Sequence, residues 1–177
     1  MTSGAHPGRG PVTTYLAEDH AALDALLERA VRSPGAIDLE AYGAFRAGLL
    51  RHIAIEEKLL FAAIKHARDG VPHPDWERLR IEHGALTSLL VPPPTPELVE
   101  ELRSILVPHN ALEEGPGAPY ESGDALPAWD AASLVAWMRE YPPVKVAPYR
   151  DGPRVLHRAE DALRSSALQF EPKPGTR

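Results

Sequence analysis

The sequence predicts an all-α protein, an up-down-up-down four-helix bundle followed by a C-terminal helical extension. Three observations predict it. Apolar residues recur every three or four positions from about residue 12 to 114. That pattern breaks only at clusters of proline and glycine, where helices cannot continue. The breaks are short, which forces consecutive helices to lie side by side and antiparallel. No strand or hairpin signal competes, and 44% apolar residues allow a core to form without covalent staples.

The elements follow in order. The first helix is expected from about Val12 to Val31 and stops at Ser33-Pro34-Gly35; the second runs from Asp38, a suitable N-cap, to Asp69-Gly70. The third begins near Pro74 and ends at Val91, before three prolines. The fourth starts after Thr95, with Pro96 in its first turn, and runs to Gly115. VPPPTP, lying between two amphipathic helices, reads as a tight connector rather than a polyproline ligand. Beyond Gly115, GPGAPYESGDALP reads as loop, while residues 128–140 and 154–169 carry helical spacing. The expected division is a disordered N-terminus at 1–11, the bundle at 12–115, an extension at 116–170 and a disordered tail at 171–177. The extension, with Trp129 and Trp137 as packing residues, is expected to cover the bundle or to form a homodimer contact.

Composition narrows the chemistry. With no cysteine, thiolate metal sites, Cys-ligated iron–sulfur clusters and disulfides are excluded, so any metal needs nitrogen and oxygen ligands. The net charge of -6, with both signs interspersed, argues against a nucleic-acid surface. MTSGAHPGRGP lacks the apolar core of a signal peptide, and no apolar run approaches the ~20 residues of a membrane helix. A cytoplasmic protein is expected, with a metal and a small molecule as partners and no membrane.

The inward stripe of each helix carries the functional signal. The stripes are Leu16, His20, Leu23, Leu27, Ala30; then Phe45, Leu49, His52, Glu56, Leu59, Ala63; then Trp76, Leu79, His83, Leu86, Leu90; and Leu98, Leu102, Ile105, His109, with Leu112 or Glu113. One buried histidine is ordinarily a core residue with a single hydrogen-bond partner. Here each of four stripes holds one, and Glu56 and Glu113 lie one turn beyond His52 and His109. Burying an unpartnered carboxylate is costly, and a cation supplies the missing charge. Positions i and i+4 share a helix face, so each His-x-x-x-Glu aims a nitrogen and a carboxylate at one point. Four imidazoles and two carboxylates suit iron, manganese or zinc, and two metals fit better than one, because six protein ligands would leave a single metal no open position. The Glu-x-x-His pattern of other di-iron bundles is absent.

In order and spacing, His20, His52-x-x-x-Glu56, His83 and His109-x-x-x-Glu113 resemble the hemerythrin-like family, the HHE cation-binding domains, over roughly residues 12–114. The resemblance implies two iron ions, one held by His20 and His52 and the other by His83 and His109, with Glu56, Glu113 and an oxo or hydroxo group bridging them. Zinc or manganese rank behind iron. The family implies a ligand such as dioxygen, peroxide or nitric oxide, bound, sensed or reduced, with an oxidase- or peroxidase-like activity open.

The sequence departs from that pattern in three places. Oxygen carriers have a second histidine on the third helix, but here the flanking positions are Leu79 and Thr87, so a more open site is expected, suited to inner-sphere redox chemistry or solvent exchange. Pro108 directly precedes His109 and is expected to kink the fourth helix. Because oxygen carriers place this acid five rather than four residues after the histidine, the resemblance also makes Glu114 a competitor to Glu113, which is preferred. The stop at Gly115-Pro116-Gly117 is expected to leave one end of the site loop-covered and wet. Glu57 is expected to face solvent or a neighbouring helix. His6, His66, His73 and His157 read as surface histidines. Tyr15 and Tyr120 read as packing residues, with a hydrogen bond to a metal-bound species as the alternative. Two other readings stay open: an iron-responsive regulatory bundle whose extension contacts a partner, and a metal-free interaction bundle.

Overall fold

The structure, a computed structural model, describes residues 9–170. The expected disorder at residues 1–8 and 171–177 lies outside the described residues. The protein is all-helical, with no strand among the described residues, and is arranged as the expected helical bundle with C-terminal helices. The bundle is built from α1 (Pro11–Ala30), α2 (Leu39–Ile55), a π-helical turn (Glu56–Leu60) leading into α3 (Phe61–Ala67), α4 (Trp76–Leu89) and α5 (Pro96–Glu114). The extension adds α6 (Pro119–Asp124), α7 (Ala128–Glu140) and α8 (Ala159–Phe170). No described helix is long and apolar enough to cross a membrane.

Local chemistry accounts for the helix ends. Asp38 caps α2 by accepting from the amides of Glu40 and Ala41, and Thr95 caps α5 through Leu98 N at 3.1 Å. At its N-cap α1 has Gly10, which offers no side chain, so Asp124 of α6 supplies the cap instead, accepting from Val12 N at 2.7 Å. A Cβ at position 10 would collide with the Asp124 carboxylate, so only glycine fits there. Arg9 pairs with Glu114 at 3.0 Å, so Arg9–Pro11, expected to be disordered, are part of the fold.

Two apolar clusters form the core. One gathers Leu23, Leu27, Phe45, Leu86, Leu89 and Leu102; the other gathers Leu16, Ile55, Leu60, Tyr120, Leu134 and Met138. Along α1 the two clusters meet at His20, and along α2 and the π turn they meet at His52 and Glu56. A polar layer therefore divides an otherwise apolar interior.

Several expectations are corrected. The second stripe was expected to continue through Leu59 and Ala63, but the fully buried residues are Leu60 and Ile64. The π turn closes Phe61 N–H onto Glu56 O, one residue wider than an α turn, and shifts the inward register by one. Residues 119–124, expected as loop, form α6, and the last helix begins at Ala159 rather than 154. Trp129 and Trp137 are 73% and 59% exposed; α7 instead buries Ala131, Leu134, Val135 and Met138. The non-helical stretch between α7 and α8 is held by arginines of α2. Arg46, itself buried, donates to Leu90 O at 2.7 Å and Ala147 O at 2.8 Å, and Arg51 donates to Tyr141 O at 3.0 Å. α8 crosses α4 closely because position 84 is glycine: a Cβ there would strike Ser166 Oγ.

Candidate metal centre

Each of the four bundle helices delivers one histidine to the polar layer. α1 carries His20, α2 His52, α4 His83 and α5 His109, and all four are buried. Glu56 opens the π turn and Glu113 lies at the end of α5; both are fully buried. The six residues form two groups of potential ligands, His20, His52, Glu56 and Glu113 on one side, Glu56, His83, His109 and Glu113 on the other. The glutamates belong to both because each divides its oxygens. Glu56 Oε1 lies 3.2 Å from His52 Nε2 and Oε2 lies 3.2 Å from His83 Nε2. Glu113 Oε2 lies 3.4 Å from His20 Nε2 and Oε1 lies 3.3 Å from His109 Nε2. Glu114 turns aside.

A second set of acids, of which only Glu114 was weighed as a ligand, holds the imidazoles from behind. Nδ1 of His52 meets Asp19 at 2.8 Å, Nδ1 of His83 meets Glu57 at 3.2 Å, Nδ1 of His109 meets Glu82 at 2.8 Å, and Nδ1 of His20 meets Glu114 at 3.0 Å. A carboxylate only accepts, so each Nδ1 donates, and in a neutral ring the lone pair is left on Nε2, facing the centre. The four contacts close a ring from α1 to α2 to α4 to α5 and back to α1. Each acid sits next in sequence to an inward residue: before His20 and His83, after Glu56 and Glu113. Antiparallel helices reverse direction, so "before" on α1 and α4 and "after" on α2 and α5 turn the same way around the bundle axis. An acid beside one inward group on each of the four chain segments was the signal available in the sequence.

The charges within the layer set the protonation of its members against burial. Burial alone would push the His52 imidazole down, but Glu56, with the hydrogen bond from Asp19, outweighs it and raises the group to about 10. Burial likewise lowers His109, and Glu113 reverses the sign, to about 8. His20 and His83 are raised for the same reason, against burial. Burial and the charge of Glu113 push the Glu56 carboxyl up, yet His52 and His83 hold it at about 2. Three atoms stay unsatisfied: Glu56 Oε2, His83 Nε2 and Glu113 Oε1 are buried and make no hydrogen bond. They approach one another but are out of line for hydrogen bonds, as ligands aimed at a common point are. The donor set, all imidazole and carboxylate, fits a pair of hard or borderline cations.

Tyr120, on α6, is the other group that reaches the centre. Its fully buried hydroxyl donates to Glu56 Oε1 at 2.6 Å and lies 3.2 Å from Glu113 Oε2, 3.0 Å from His20 Nε2 and 3.3 Å from His52 Nε2. Burial, then the charges of Glu113 and Glu56, keep this phenol protonated, well above the usual range. The end of the site expected to be loop-covered and wet is thus closed by a helix and a phenol. Tyr15, the other tyrosine considered, bonds Met138 O at 3.2 Å instead. Of the surface histidines, His66 and His157 are exposed, but His73 is buried, its Nε2 on Gly117 O at 3.1 Å and its Nδ1 accepting from Asp75 N. It anchors the turn that leads into α6. His6 lies outside the described residues. A cavity of about 440 Å³ between α1 and α5, lined by Arg9, Glu18, Asp24, Asn110 and Glu114, reaches His20 from solvent.

An all-α bundle with two buried His/Glu groups joined by a shared pair of carboxylates defines a cation-binding helical protein. The chain matches the hemerythrin HHE cation binding domain over residues 12–119, more than half its length, and it belongs to that family. Neither the curated proteins nor the solved structures compared with it gave a match.

Proposed function

We propose that the protein is a non-haem di-iron protein that binds or reacts with dioxygen, peroxide or nitric oxide. The observation that carries this reading is the division of the Glu56 and Glu113 oxygens between two histidine pairs, with three buried atoms left unpartnered. In this reading His20 and His52 would hold one iron and His83 and His109 the other, with the Glu56 and Glu113 carboxylates, common to both groups, neutralising charge. Bound iron would supply electrons and Lewis acidity toward a small ligand. The chain's own contribution is orientation: Asp19, Glu57, Glu82 and Glu114 fix the imidazole planes and keep Nε2 inward, and the two apolar clusters exclude bulk water. Exposed Trp129 and Trp137 on α7 are where we place a homodimer contact.

Adding dioxygen, peroxide and nitric oxide in turn to iron-loaded protein tests the proposal. A change in the absorption spectrum with at least one of them, absent from the chelated protein, is expected. An unchanged spectrum with all three would refute it. An iron-responsive regulatory bundle is the second reading, supported by the way the polar layer joins all four bundle helices, so that metal loss would loosen the whole fold. Loss of cooperative unfolding on chelation, with no response to the three ligands, selects it.

A further inference from the structure

Tyr120 lies one residue beyond the region matched by the family, and its hydroxyl enters the polar layer from outside the four bundle helices. A hydroxyl has one proton to give, yet this one stands within 3.3 Å of four atoms at once, the four that face the centre of the His20/His52 half. Imidazole and carboxylate ligands hold a first-row cation at about 2.0–2.2 Å. A cation at that distance from these four atoms leaves no space for water between itself and the phenol oxygen. Binding must therefore bring the oxygen into the coordination sphere or push the ring away.

The ring has nowhere to go. It is fully buried in the apolar cluster with Leu16, Ile55, Leu60 and Ile64. α6 is fixed at both ends, by Asp124 on the first amides of α1 and by His73 on the carbonyl of Gly117. A Cβ at Gly123 would meet Leu60 and Val12 below 3.0 Å, so the helix already sits in close contact with the bundle.

We propose that Tyr120 is itself a metal ligand, binding as phenolate to the cation of the His20/His52 half. The inference rests on the di-iron reading above. On binding, the O–H bond breaks, the oxygen bonds the metal and the proton passes to solvent; no electron is transferred. The half built from His83 and His109 has no such ligand among the described residues, so the two metals are inequivalent.

The test uses the full chain loaded with ferric iron, with iron counted per chain before any spectrum is taken. An oxo bridge absorbs in the near ultraviolet, whereas phenolate bound to ferric iron absorbs in the visible and gives ring vibrations in resonance Raman. The expected result is a visible band carrying those vibrations in the natural chain, lost in Tyr120→Phe while bound iron and helical circular dichroism are retained. Bound iron with no phenolate vibrations in the natural chain overturns the proposal, and so does a band that persists in Tyr120→Phe. The Raman spectrum of the natural chain decides even if the variant misfolds. Failure to take up any iron overturns the di-iron reading and this inference with it, and the metal count separates that outcome from the others.

Discussion

An imidazole held between two carboxylates, as His52 is between Asp19 and Glu56, has its position fixed and its basicity raised by the same contacts. Losing an outer partner typically costs 10–100-fold in metal affinity. Asp19→Asn, Glu82→Gln and Glu114→Gln are each expected to weaken binding by about that factor, while Glu113→Gln, which faces both halves, abolishes one site or both; titration against a chelator of known affinity reads the difference. Equal effects of Glu113→Gln and Glu114→Gln would contradict the assignment. Without metal, pH dependence has a definite sign. The raised histidines stabilise the fold fully below their unfolded value of 6.5, and that stability is lost as pH rises through about 8 for His109 and about 10 for His52. The depressed Glu56 stabilises above 4.5 and loses its contribution as pH falls toward about 2. The melting temperature of chelated protein is expected to peak between these limits and to fall above pH 8; a profile still rising at pH 9 contradicts it. At this scale His20, His52, Glu56, His83, His109 and Glu113 were legible because polar residues on an apolar stripe stand out. Asp19, Glu57 and Glu82 were not, because an acid one step off the stripe looks like any solvated surface residue, and Glu114 was weighed only as a competitor to Glu113. His73 was missed for a similar reason: a histidine between prolines gives no periodic signal.

Among the elements, the π turn matters most. It widens the helix by one residue directly at Glu56, letting Glu56 face the centre while Glu57 reaches His83, and it moves the apolar stripe from Leu59 and Ala63 to Leu60 and Ile64. Leu60→Ala is accordingly expected to destabilise the protein by about 2–5 kcal/mol, the usual range for a fully buried leucine, and Leu59→Ala by clearly less. Denaturant unfolding of the two variants checks this, and the reverse order would mean that the helix continues in plain α register. Period counting assumes 3.6 residues per turn throughout, so a local departure is invisible to it. The helix ends were more legible, since Asp38, Thr95 and Pro96 act through their immediate neighbours in sequence. α6 was not, because PYESGD has poor intrinsic helix propensity and is held by long-range contacts of Tyr120 and Asp124.

For the molecule as a whole, the polar layer interrupts the core and draws on all four bundle helices, so a bound cation would act as a cross-link among them. Ligands that bind only the folded state add stability in proportion to saturation, about 2.7 kcal/mol at a hundred times the dissociation constant. Iron loading is expected to raise the melting temperature and chelation to reverse it, whereas His20→Ala should abolish the gain; a melting temperature indifferent to metal would favour the metal-free interaction bundle. The bundle topology was legible because connectors such as VPPPTP are too short for anything but antiparallel neighbours. The exposed faces of α7 were not, because Trp129 and Trp137 keep helical spacing on the side turned to solvent. The most direct test of the central claim is the metal content of protein purified aerobically without a metal-affinity step, together with its ultraviolet–visible spectrum. The account predicts about two irons per chain with oxo-bridge bands in the near ultraviolet. Protein that carries no metal, and takes up none when ferrous iron is added anaerobically, would contradict it.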